Sequence, residues 1–304
     1  MVNAGQIIVI AGATATGKSD LAVALAQEID GEIINADSMQ LYRGMDIGTA
    51  KLNHEERNGI PHHLIDILDV HEDATVAQYQ ELARERADQL LAQGKNVVLV
   101  GGTGLYIKAF LDDLQFPDTD VAVRERLLKE GERIGHQAMH ERLAILDPAA
   151  AAAIPKENLR RVVRALEVIE ITGKPFTANL PRTGEGRYPF ARQFGLVMDR
   201  ENLRERIDAR VDRMWERGLV AEVDALLDKG ILKGRTAQAA IGYAQIIDHR
   251  LGKISAEEAR EETKRATRAF ARRQETWFSR DQRITWVKEP TLHERKSVIL
   301  TNIA

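Results

Sequence analysis

The chain has no cysteine among its 304 residues. This absence excludes disulfide bonds, thiolate metal sites and a cysteine nucleophile, and it suits a reducing cytosol. Long apolar runs are absent as well. The stretch Ile7–Ile10 is too short for a signal-peptide core or a membrane span, and no basic segment precedes it. We therefore expect a cytoplasmic protein that does not insert into a membrane.

An excess of charge of one sign is also lacking. The net charge is −3, from 43 basic and 46 acidic residues. Such a balance does not indicate a nucleic-acid-binding protein and does not exclude one, because the local clustering of charge on a surface decides that function. With 44% hydrophobic residues, the chain is long enough for one large domain, or for one domain that carries a smaller one.

The chain begins with a predicted β–loop–α–β pattern. Ile7–Ile10 is a short and wholly apolar run, which is typical of a strand buried in a parallel sheet. Lys18–Ile29 has the apolar spacing of a helix, and Gly31 ends it. Glu32–Asp37 is predicted to be a second strand, with the acid Asp37 at its C-terminal end.

The loop between the first strand and the first helix fits the pattern G-x-x-x-x-G-K-[ST] of a phosphate-binding loop (P-loop). Its glycines let backbone amides point at phosphate oxygens, and the helix N-terminus adds a partial positive charge. Lys18 can reach the phosphates, and the Ser19 hydroxyl can be a ligand of Mg²⁺. The predicted phosphate-binding residues are Gly12, Ala13, Thr14, Ala15, Thr16, Gly17, Lys18 and Ser19. The loop does not identify the ligand, because an NTP and a diphosphate ester would satisfy the same donors.

Two more segments are predicted to reach the same edge of the sheet, because ligands of such sheets bind outside the carboxyl ends of the strands. Asp37 could accept a proton or hold Mg²⁺ through water there, or it could merely cap a turn. The strand Val97–Val100 runs into Gly101–Gly104, which either approaches a ligand, with the Thr103 hydroxyl beside it, or forms only a tight turn. A strand that ends in glycines instead of Asp weakens the interpretation as a simple NTPase.

The remaining pattern is mostly helical. Val76–Gln93 and Leu105–Leu111 are predicted helices. The segment 117–189 is helical, charged and punctuated by prolines, one of which is Pro181, and no convincing strand follows before Phe194–Met198. From Arg200 onwards the chain is predicted to be mostly helical.

These elements predict an α/β fold with two parts. The first is a P-loop NTPase-like core over residues 1–116 and 191–304, in which helices flank a parallel sheet. The second is a small all-helical insertion domain over residues 117–190. The insertion is predicted to leave the sheet after the third strand and to return to it near residue 194.

Basic residues are concentrated in three groups, which are Arg160, Arg161 and Arg164; Arg206, Arg210, Arg213 and Arg217; and the segment Lys264–Arg280. The second group has the spacing of one helix face, although neighbouring acids would also fit a salt-bridged, solvated face. The third group has six basic residues against one acid, which favours a surface for a phosphate backbone. Its aromatic residues Phe270, Trp277 and Phe278 are interpreted as core residues.

An ordered set of motifs follows the P-loop along the chain. They are Asp37–Tyr42, Gly44–Lys51, Pro61–Asp66, Val100–Tyr106, Asp147–Pro148, Arg161–Glu167, Ile241–Tyr243 and Thr267–Trp277. A P-loop alone is common, but this ordered set is highly specific. With it, the chain resembles the tRNA dimethylallyltransferase (tRNA isopentenyltransferase) family. Because the chain has no cysteine for the zinc-finger extension of eukaryotic relatives, we expect the bacterial type.

The resemblance implies a prenyltransferase. Such an enzyme moves a dimethylallyl group from dimethylallyl diphosphate to the exocyclic amine of the adenosine on the 3′ side of the anticodon, in tRNAs that read codons beginning with U. The implied partners are the tRNA anticodon stem-loop and dimethylallyl diphosphate, and the implied cofactor is Mg²⁺. We also expect a monomer that binds no membrane.

Residue roles in the chemistry follow from the resemblance. Asp37 would orient the adenine amine and take its proton, while Thr103 would lie across the reaction channel. Arg210 would bind the diphosphate together with the P-loop, to which the hydroxyls of Thr14 and Thr16 could add donors. The adenosine would have to leave its stack to reach Asp37.

The resemblance also implies a set of tRNA contacts. They are Asp37, Ser38, Met39, Gln40, Thr103, Arg124, Arg161, Arg164, Ala239, Ala240, Ile241, Gly242, Tyr243, Ala244, Arg268, Arg272 and Arg273. Ala239 and Ala244 depart from the family pattern, which often has Gln or Arg at the first position and a basic residue at the second. These departures put base-specific contacts of that loop in doubt, and not the activity.

Three alternative functions remain open at this point. An adenylate isopentenyltransferase acting on free AMP, ADP or ATP would share the P-loop and Asp37, but it would not need the helical insertion or the basic segment Lys264–Arg280. A P-loop small-molecule kinase would bind ATP tightly and phosphorylate an acceptor near Asp37. A non-catalytic RNA-binding protein would use the P-loop only as a switch.

Overall fold

A parallel β-sheet forms the centre of the fold in the computed structural model, which describes residues 5–179 and 186–303. The strands within these residues are β1 (Ile7–Gly12), β2 (Gly31–Asn35), β3 (His62–His63), β4 (Asn96–Val100), β5 (Arg192–Leu196) and β6 (Ile284–Val287). They pair in the order β3-β2-β4-β1-β5-β6, and every pairing is parallel. The predicted α/β class with a P-loop core and a parallel sheet is therefore confirmed.

Helices connect and cover the strands. They are α1 (Lys18–Glu28), α2 (Val76–Ala92), α3 (Gly104–Leu111), α4 (Val121–Ile134), α5 (His136–Leu146), α6 (Pro148–Ala153), α7 (Leu159–Thr172), α8 (Arg200–Glu216), α9 (Leu219–Asp228), α10 (Tyr243–Arg250), α11 (Ala256–Phe278) and α12 (Leu292–Ile303). Short 3₁₀ turns occupy Phe176–Asn179, Ile231–Lys233 and Ala237–Ala239. Throughout the part of the chain that the structure covers, no helix has both the length and the apolar character that a membrane crossing requires.

Strand β1 explains why the first apolar run is hydrophobic at every position. Its six residues are all buried, because helices cover both faces of the sheet. Ile8 and Ile10 pack with residues of α1 and α12, whereas Ile7 and Val9 pack with residues of α2, α3 and α11. Alternate side chains of a strand point to opposite faces, so both sets must be apolar here.

The carboxyl ends of three central strands meet at one edge of the sheet. Ile10 of β1 and Asn35 of β2 are both paired with Val100 of β4. The loops that follow these strands, with the P-loop, Asp37 and Gly101–Gly104, therefore emerge side by side. This register places the predicted site at the edge where open parallel sheets bind their ligands.

Four strand assignments from the sequence need correction, and one of them is the two-residue strand β3, which was not predicted. Strand β2 ends at Asn35, so Asp37 lies in the loop beyond it instead of closing the strand. Strand β5 is Arg192–Leu196 and not Phe194–Met198. Strand β6 was missed within a region predicted to be mostly helical, because four residues at the sheet edge carry too short a pattern to stand out between long helices.

The chain divides into two compact units, Met1–Leu111 with Tyr188–Ala304, and Asp112–Arg187. The sequence predicted the insertion over residues 117–190. Within the second unit, helices α4 to α7 surround a core of their own that contains Leu127, Leu143 and Val162. Pro181, one of the prolines that mark the insertion in the sequence, lies outside the described residues.

Candidate active site

A cavity of about 1000 Å³ opens at the carboxyl edge of the sheet. The P-loop, the loops after β2 and β4, and residues of α8 and α11 line it. All of these residues belong to the first compact unit. The volume is at the upper end for small-molecule sites, so the cavity has room for more than one small ligand.

The P-loop is built on backbone conformations that its sequence permits. Gly12 has a φ of 139°, and a Cβ there would lie 2.9 Å from the carbonyl oxygen of Leu196 on the neighbouring strand. Gly17 has a φ of 89° and caps the N-terminus of α1. A residue with a Cβ is strained at such angles, so the two glycines of the motif are needed where the loop turns.

Lys18 lies in this cavity, and its Nζ donates a hydrogen bond of 2.6 Å to the carbonyl oxygen of Ala13. The pKa of Lys18 is lowered to about 8, mainly by burial and secondly by the nearby Arg210, while Asp37 opposes both effects. Ser19 also lines the cavity, and its hydroxyl makes no hydrogen bond to the residues that the structure describes. The charged groups of Lys18, Arg210 and Asp37 are therefore close enough to shift the pKa of Lys18.

The two threonines of the P-loop differ in position. Thr14 lines the cavity, as its predicted donor role requires. Thr16 is buried, and its hydroxyl donates a 2.8 Å hydrogen bond to the carbonyl oxygen of Ala13. The side chain of Thr16 thus stabilises the loop from within, and the prediction that it offers its hydroxyl to a ligand is not supported by this geometry.

Gln274 joins the P-loop to the loop after β4, a role that the sequence did not reveal. Its Oε1 accepts a hydrogen bond of 2.8 Å from the backbone amide of Thr14, and its Nε2 donates one of 2.9 Å to the carbonyl of Gly102. The side chain is only 5% exposed. A Cβ at Gly102 would lie 2.2 Å from this Nε2, so glycine is needed there for the close approach. The only available signal was that Gln274 lies inside a family motif.

Asp37 and Thr103 lie on adjoining loops and line the same cavity as the arginines. Asp37 Oδ1 accepts a hydrogen bond of 2.9 Å from the amide of Met39, so the carboxylate does shape a turn. Its Oδ2 makes no hydrogen bond to any described residue. Thr103 Oγ1 accepts from the amide of Ser38 at 3.1 Å and lies 3.4 Å from the Ser38 hydroxyl. Asp37 therefore stabilises the turn with one carboxylate oxygen and leaves the other oxygen available to a ligand.

The arginine stripe of α8 faces the cavity. Arg206, Arg210, Arg213 and Arg217 all line it. Two acids of the same helix pair with α11 instead: Asp212 pairs with Arg260 and Lys264, and Asp208 pairs with Arg268. Glu205 lines the cavity beside the arginines. The stripe is therefore a row of cations that line the cavity, and none of them forms an ion pair with a described residue. The alternative of a salt-bridged face is wrong, although Arg206, Arg213 and Arg217 are exposed to solvent.

Arg210 occupies the centre of this row, and among the described residues it forms no ion pair. Its pKa is lowered by burial and, less strongly, by Arg213 and Arg206, while Asp37 raises it. Arg206 donates a hydrogen bond of 3.1 Å from Nε to the carbonyl of Ala15 in the P-loop. An anion in the cavity would relieve the repulsion among these cations.

The basic segment Lys264–Arg280 carries less free charge than its composition suggests. Lys264 pairs with Asp212 and Glu261, Arg265 pairs with Glu262, and Arg268 pairs with Asp208. These acids lie outside the segment, so counting charge within it overestimated the basic surface. The exposed arginines of the segment that form no ion pair with a described residue are Arg272, Arg273 and Arg280.

The three unpaired arginines border a second, open groove of about 410 Å³ on α11. Trp277 lies in this groove and is 41% exposed, whereas Phe278 is buried in the core. Arg273 stacks over the ring of Phe270 at 5.7 Å. The interpretation of all three aromatic residues as core residues is thus correct for Phe278 and wrong for Trp277.

In the helical unit, Arg124 and Arg164 share one buried partner. Arg124 donates to both carboxylate oxygens of Glu167, and Arg164 lies 3.1 Å from the same carboxylate. Glu167 is fully buried, while about 30% of each arginine side chain is exposed. Arg161 is exposed and forms no ion pair with a described residue. The first two arginines therefore stabilise the unit, whatever else they contact.

The segment 239–244 lines the cavity, with the exception of one residue. Ala239, Ala240, Ile241, Gly242 and Tyr243 line the cavity, and Ala244 does not. Tyr243 is fully buried and donates a 2.6 Å hydrogen bond to Glu222, and burial raises its pKa.

Glu222 links the segment 239–244 by hydrogen bonds to the segment that follows Gly44. Its carboxylate accepts hydrogen bonds from the backbone amides of Asp46, Ile47 and Gly48. Tyr243 thus acts through Glu222 as a structural support, and direct contact with tRNA does not fit its burial.

The motif Gly44–Lys51 also has a structural explanation. Lys51 is buried and donates hydrogen bonds to the carbonyl of Tyr42 and to the carboxylates of Asp46 and Asp66. Gln40 donates from Nε2 to the carbonyl of Thr49 at 3.2 Å. These contacts hold the cavity wall that carries Met39 and Gln40.

Comparison with known proteins identifies the family of the chain. A family model described as IPP transferase matches residues 40–281. The tRNA dimethylallyltransferase of Streptomyces coelicolor is 57% identical over 284 residues, which is 93% of this chain and 90% of that protein.

Solved structures agree as well. The full-length tRNA isopentenylpyrophosphate transferase of Bacillus halodurans is 40% identical, with a TM-score of 0.72 and coverage of 98% of this chain and 96% of that one. A eukaryotic dimethylallyltransferase crystallised acting on tRNA is 28% identical, with a TM-score of 0.81 and coverage of 98% and 79%. The chain therefore belongs to the IPP transferase family, whose curated relatives are tRNA dimethylallyltransferases, and it is a prenyl-transferring enzyme.

Proposed function

We propose that the enzyme transfers a dimethylallyl group from dimethylallyl diphosphate to the exocyclic amine of the adenosine next to the anticodon, on its 3′ side. The acceptors are tRNAs that read codons beginning with U, and diphosphate is released. One observation carries the proposal: a single cavity is lined by the P-loop, by a row of arginines, and by Asp37 and Thr103. Its size of about 1000 Å³ suits an allylic diphosphate and a flipped adenosine together.

The cationic side fits the leaving group. When the allylic carbon–oxygen bond breaks, its electron pair stays on the diphosphate. Lys18, Arg206 and Arg210 lie where they stabilise this negative charge, together with the amides at the N-terminus of α1. Preorganised cations in a partly buried site stabilise a developing anion more strongly than water does.

Asp37 fits the role of proton acceptor. As the new nitrogen–carbon bond forms, the adenine amine becomes cationic and releases one proton. The Asp37 oxygen that is not used in the turn is available to accept it. Thr103 is held against the Ser38 amide on the adjoining loop, which positions it to orient the amine or the diphosphate.

Mg²⁺ fits the donor set beside the P-loop. The Ser19 hydroxyl lines the cavity and has no hydrogen-bond partner in the described chain, and a hydroxyl, phosphate oxygens and waters are ligands that Mg²⁺ accepts. The described residues contain no cluster of three or more His, Asp or Glu residues that could hold a metal ion, so phosphate and water would complete the shell. Bound there, Mg²⁺ would neutralise charge on the diphosphate.

The proposed tRNA surface follows the unpaired cations. Arg272, Arg273 and Arg280 are free to contact phosphates, and the exposed ring of Trp277 lies among them. Arg161 offers a further free cation on the helical unit. We propose the cytoplasm as the compartment, because tRNA is modified and used there in bacteria, and a monomer as the active form.

Prenyl transfer with labelled dimethylallyl diphosphate and Mg²⁺ tests the proposal directly. Unmodified tRNA, the same tRNA with the target adenosine replaced by guanosine, and AMP are offered in separate reactions. We expect label in the first reaction alone. Label in AMP would favour the free-nucleotide enzyme, and no transfer combined with tight ATP binding would favour a kinase. Binding of tRNA without any transfer would point to a non-catalytic protein.

A further inference from the structure

A buried arginine from the last helix lies directly behind the P-loop. Arg295 of α12 is only 7% exposed. Its Nη1 donates a hydrogen bond of 2.8 Å to the carbonyl oxygen of Thr16, and its Nε donates one of 2.6 Å to the carbonyl of Glu289. A Cβ at Gly17 would lie 3.6 Å from Nη1. The guanidinium thus contacts the loop at Thr16, two residues before Lys18.

No carboxylate in the described chain forms an ion pair with Arg295. The nearby Glu289 carboxylate accepts a hydrogen bond from the amide of Lys288 instead. Burial lowers the pKa of Arg295 and the neighbouring Arg206 lowers it further, while the charge of Glu289 partly opposes both effects. A buried cation that Glu289 compensates only from a distance, without a direct ion pair, is unfavourable in a packed core, where an apolar side chain would serve as well. We therefore expect an anion from outside the protein to complete the compensation.

The hydrogen bonds of the P-loop show how Arg295 acts. Three of its carbonyl groups accept bonds from side chains: Ala13 from Lys18 and Thr16, Ala15 from Arg206, and Thr16 from Arg295. Carbonyls that are tied back in this way leave the amides of the loop free to turn towards an anion.

We propose that Arg295 is a positioning residue for the P-loop, and that its fixed positive charge supplies part of the attraction for the diphosphate. The inference rests on the proposed diphosphate substrate. It concerns a residue beyond the segment 40–281 that the family model matches, on a helix that the sequence motifs do not include.

Two substitutions separate charge from hydrogen bonding. Arg295→Gln keeps an N–H donor for the Thr16 carbonyl and removes the charge, whereas Arg295→Lys keeps the charge on a shorter donor. Lys296→Met is the matched control, because Lys296 is the adjacent cation of the same helix and pairs with Glu28. Thermal melts by circular dichroism establish that each variant is folded at the assay temperature.

The measurement is the binding of inorganic diphosphate by titration calorimetry at several salt concentrations. We expect Arg295→Gln to weaken binding about tenfold, which corresponds to roughly 1.4 kcal/mol, and to reduce its salt dependence. Arg295→Lys should retain most of the affinity, Lys296→Met should match the wild type, and affinity for tRNA should not change. The KM for dimethylallyl diphosphate should rise in Arg295→Gln, with kcat less affected.

Wild-type affinity and salt dependence in a folded Arg295→Gln variant would overturn the proposal. An equal loss of diphosphate affinity in Lys296→Met would also overturn it, because the loss would then reflect the net charge of the protein and not the position of Arg295. Because inorganic diphosphate binding needs no prenyl transfer, an enzyme that binds diphosphate but fails to modify tRNA would contradict the proposed function and leave the role of Arg295 intact.

Discussion

At the scale of single residues, the site depends on three charged groups within mutual range. Lys18, Arg210 and Asp37 each influence the others, with burial as the main cause of the lowered pKa values of the two cations. Two cations and one carboxylate leave a net positive site, which an anionic substrate neutralises. In the proposed reaction, Lys18 and Arg210 would stabilise the leaving group, and Asp37 would accept the proton.

Asp37→Asn should remove the proton acceptor while preserving the turn. The amide oxygen of Asn can still accept the hydrogen bond from Met39, so the loop should keep its conformation. We expect single-turnover transfer to slow by about 10²–10⁴-fold, as for loss of a general base, with tRNA affinity within about twofold of the wild type by filter binding. A transfer rate close to that of the wild type would exclude Asp37 as the base.

Lys18 should make diphosphate binding depend on pH. Its pKa in the free protein is about 8, so the ammonium is charged below pH 8 and neutral above it. A bound anion favours the charged form and raises this pKa, so binding should take up protons near pH 8 and weaken as the pH rises further. Calorimetry in two buffers of different ionisation enthalpy measures the uptake. Lys18→Met should abolish it, and an unchanged uptake in that variant would assign the proton to another group.

At the scale of elements, helix α11 serves two functions on two faces. Gln274 faces the P-loop and Gly102, whereas Arg272 is exposed to solvent. Residues two positions apart on a helix are rotated by about 200°, so these two side chains reach opposite sides. The exposed Arg273 lies between them and lines both the cavity and the groove on α11. The helix therefore connects the diphosphate loop with the proposed tRNA surface.

Gln274→Glu should disturb the two loops selectively. The carboxylate can still accept from the Thr14 amide, but it cannot donate to the Gly102 carbonyl, so two oxygens would face each other in a buried place. We expect a loss of about 1–3 kcal/mol in the free energy of unfolding, by urea denaturation, and a higher KM for dimethylallyl diphosphate.

A double-mutant cycle provides the control for this contact. Gly102→Ala should be strongly destabilising in the wild type, because its Cβ would meet Gln274, and much less so in a Gln274→Ala background. Additive effects of the two substitutions would contradict the direct contact.

The free arginines of α11 should control tRNA affinity, whereas the paired ones should not. Replacing Arg272 and Arg273 by Ala should weaken tRNA binding and reduce the slope of log K against log salt concentration by about one per arginine. Arg265→Ala is the matched control on the same helix, because Glu262 already neutralises Arg265. Equal losses in both variants would show that net charge, and not position, determines binding.

At the scale of the whole molecule, the chain forms two compact units, each with its own hydrophobic core. The helical unit Asp112–Arg187 is organised around Glu167, whose carboxylate also accepts a hydrogen bond from the amide of Asp120. Each unit should therefore respond separately to substitutions in its core.

Glu167→Gln should destabilise the helical unit alone. The substitution leaves Arg124 and Arg164 beside a neutral group, and breaking a buried ion pair costs about 3 kcal/mol. Hydrogen exchange followed by mass spectrometry should show faster exchange in α4 and α7, with the central sheet unchanged. Glu170→Gln is the control, because Glu170 pairs with Arg126 at the surface of the same helix. Uniform exchange changes across the sheet would contradict independent units.

The sequence by itself determined the features that short-range spacing encodes. The P-loop Gly12–Ser19, the first strand, the helix after it and the helical character of the insertion all follow from patterns within about ten residues. The positions of Asp37 and Thr103 after two predicted strands placed them at the ligand edge, the family resemblance added their roles, and both lie on the cavity. Such features are readable because glycine, β-branched and amphipathic patterns act locally.

Only the tertiary structure decided which charges are free and what supports the P-loop. Asp208 and Asp212 neutralise cations on α11, while Gln274 and Arg295 reach the P-loop from about 260 to 280 residues further along the chain. Strand β6 is recognisable as a strand because it pairs with β5. These contacts join residues that are distant in sequence, and the free energy of burial and ion pairing depends on the neighbours that folding provides.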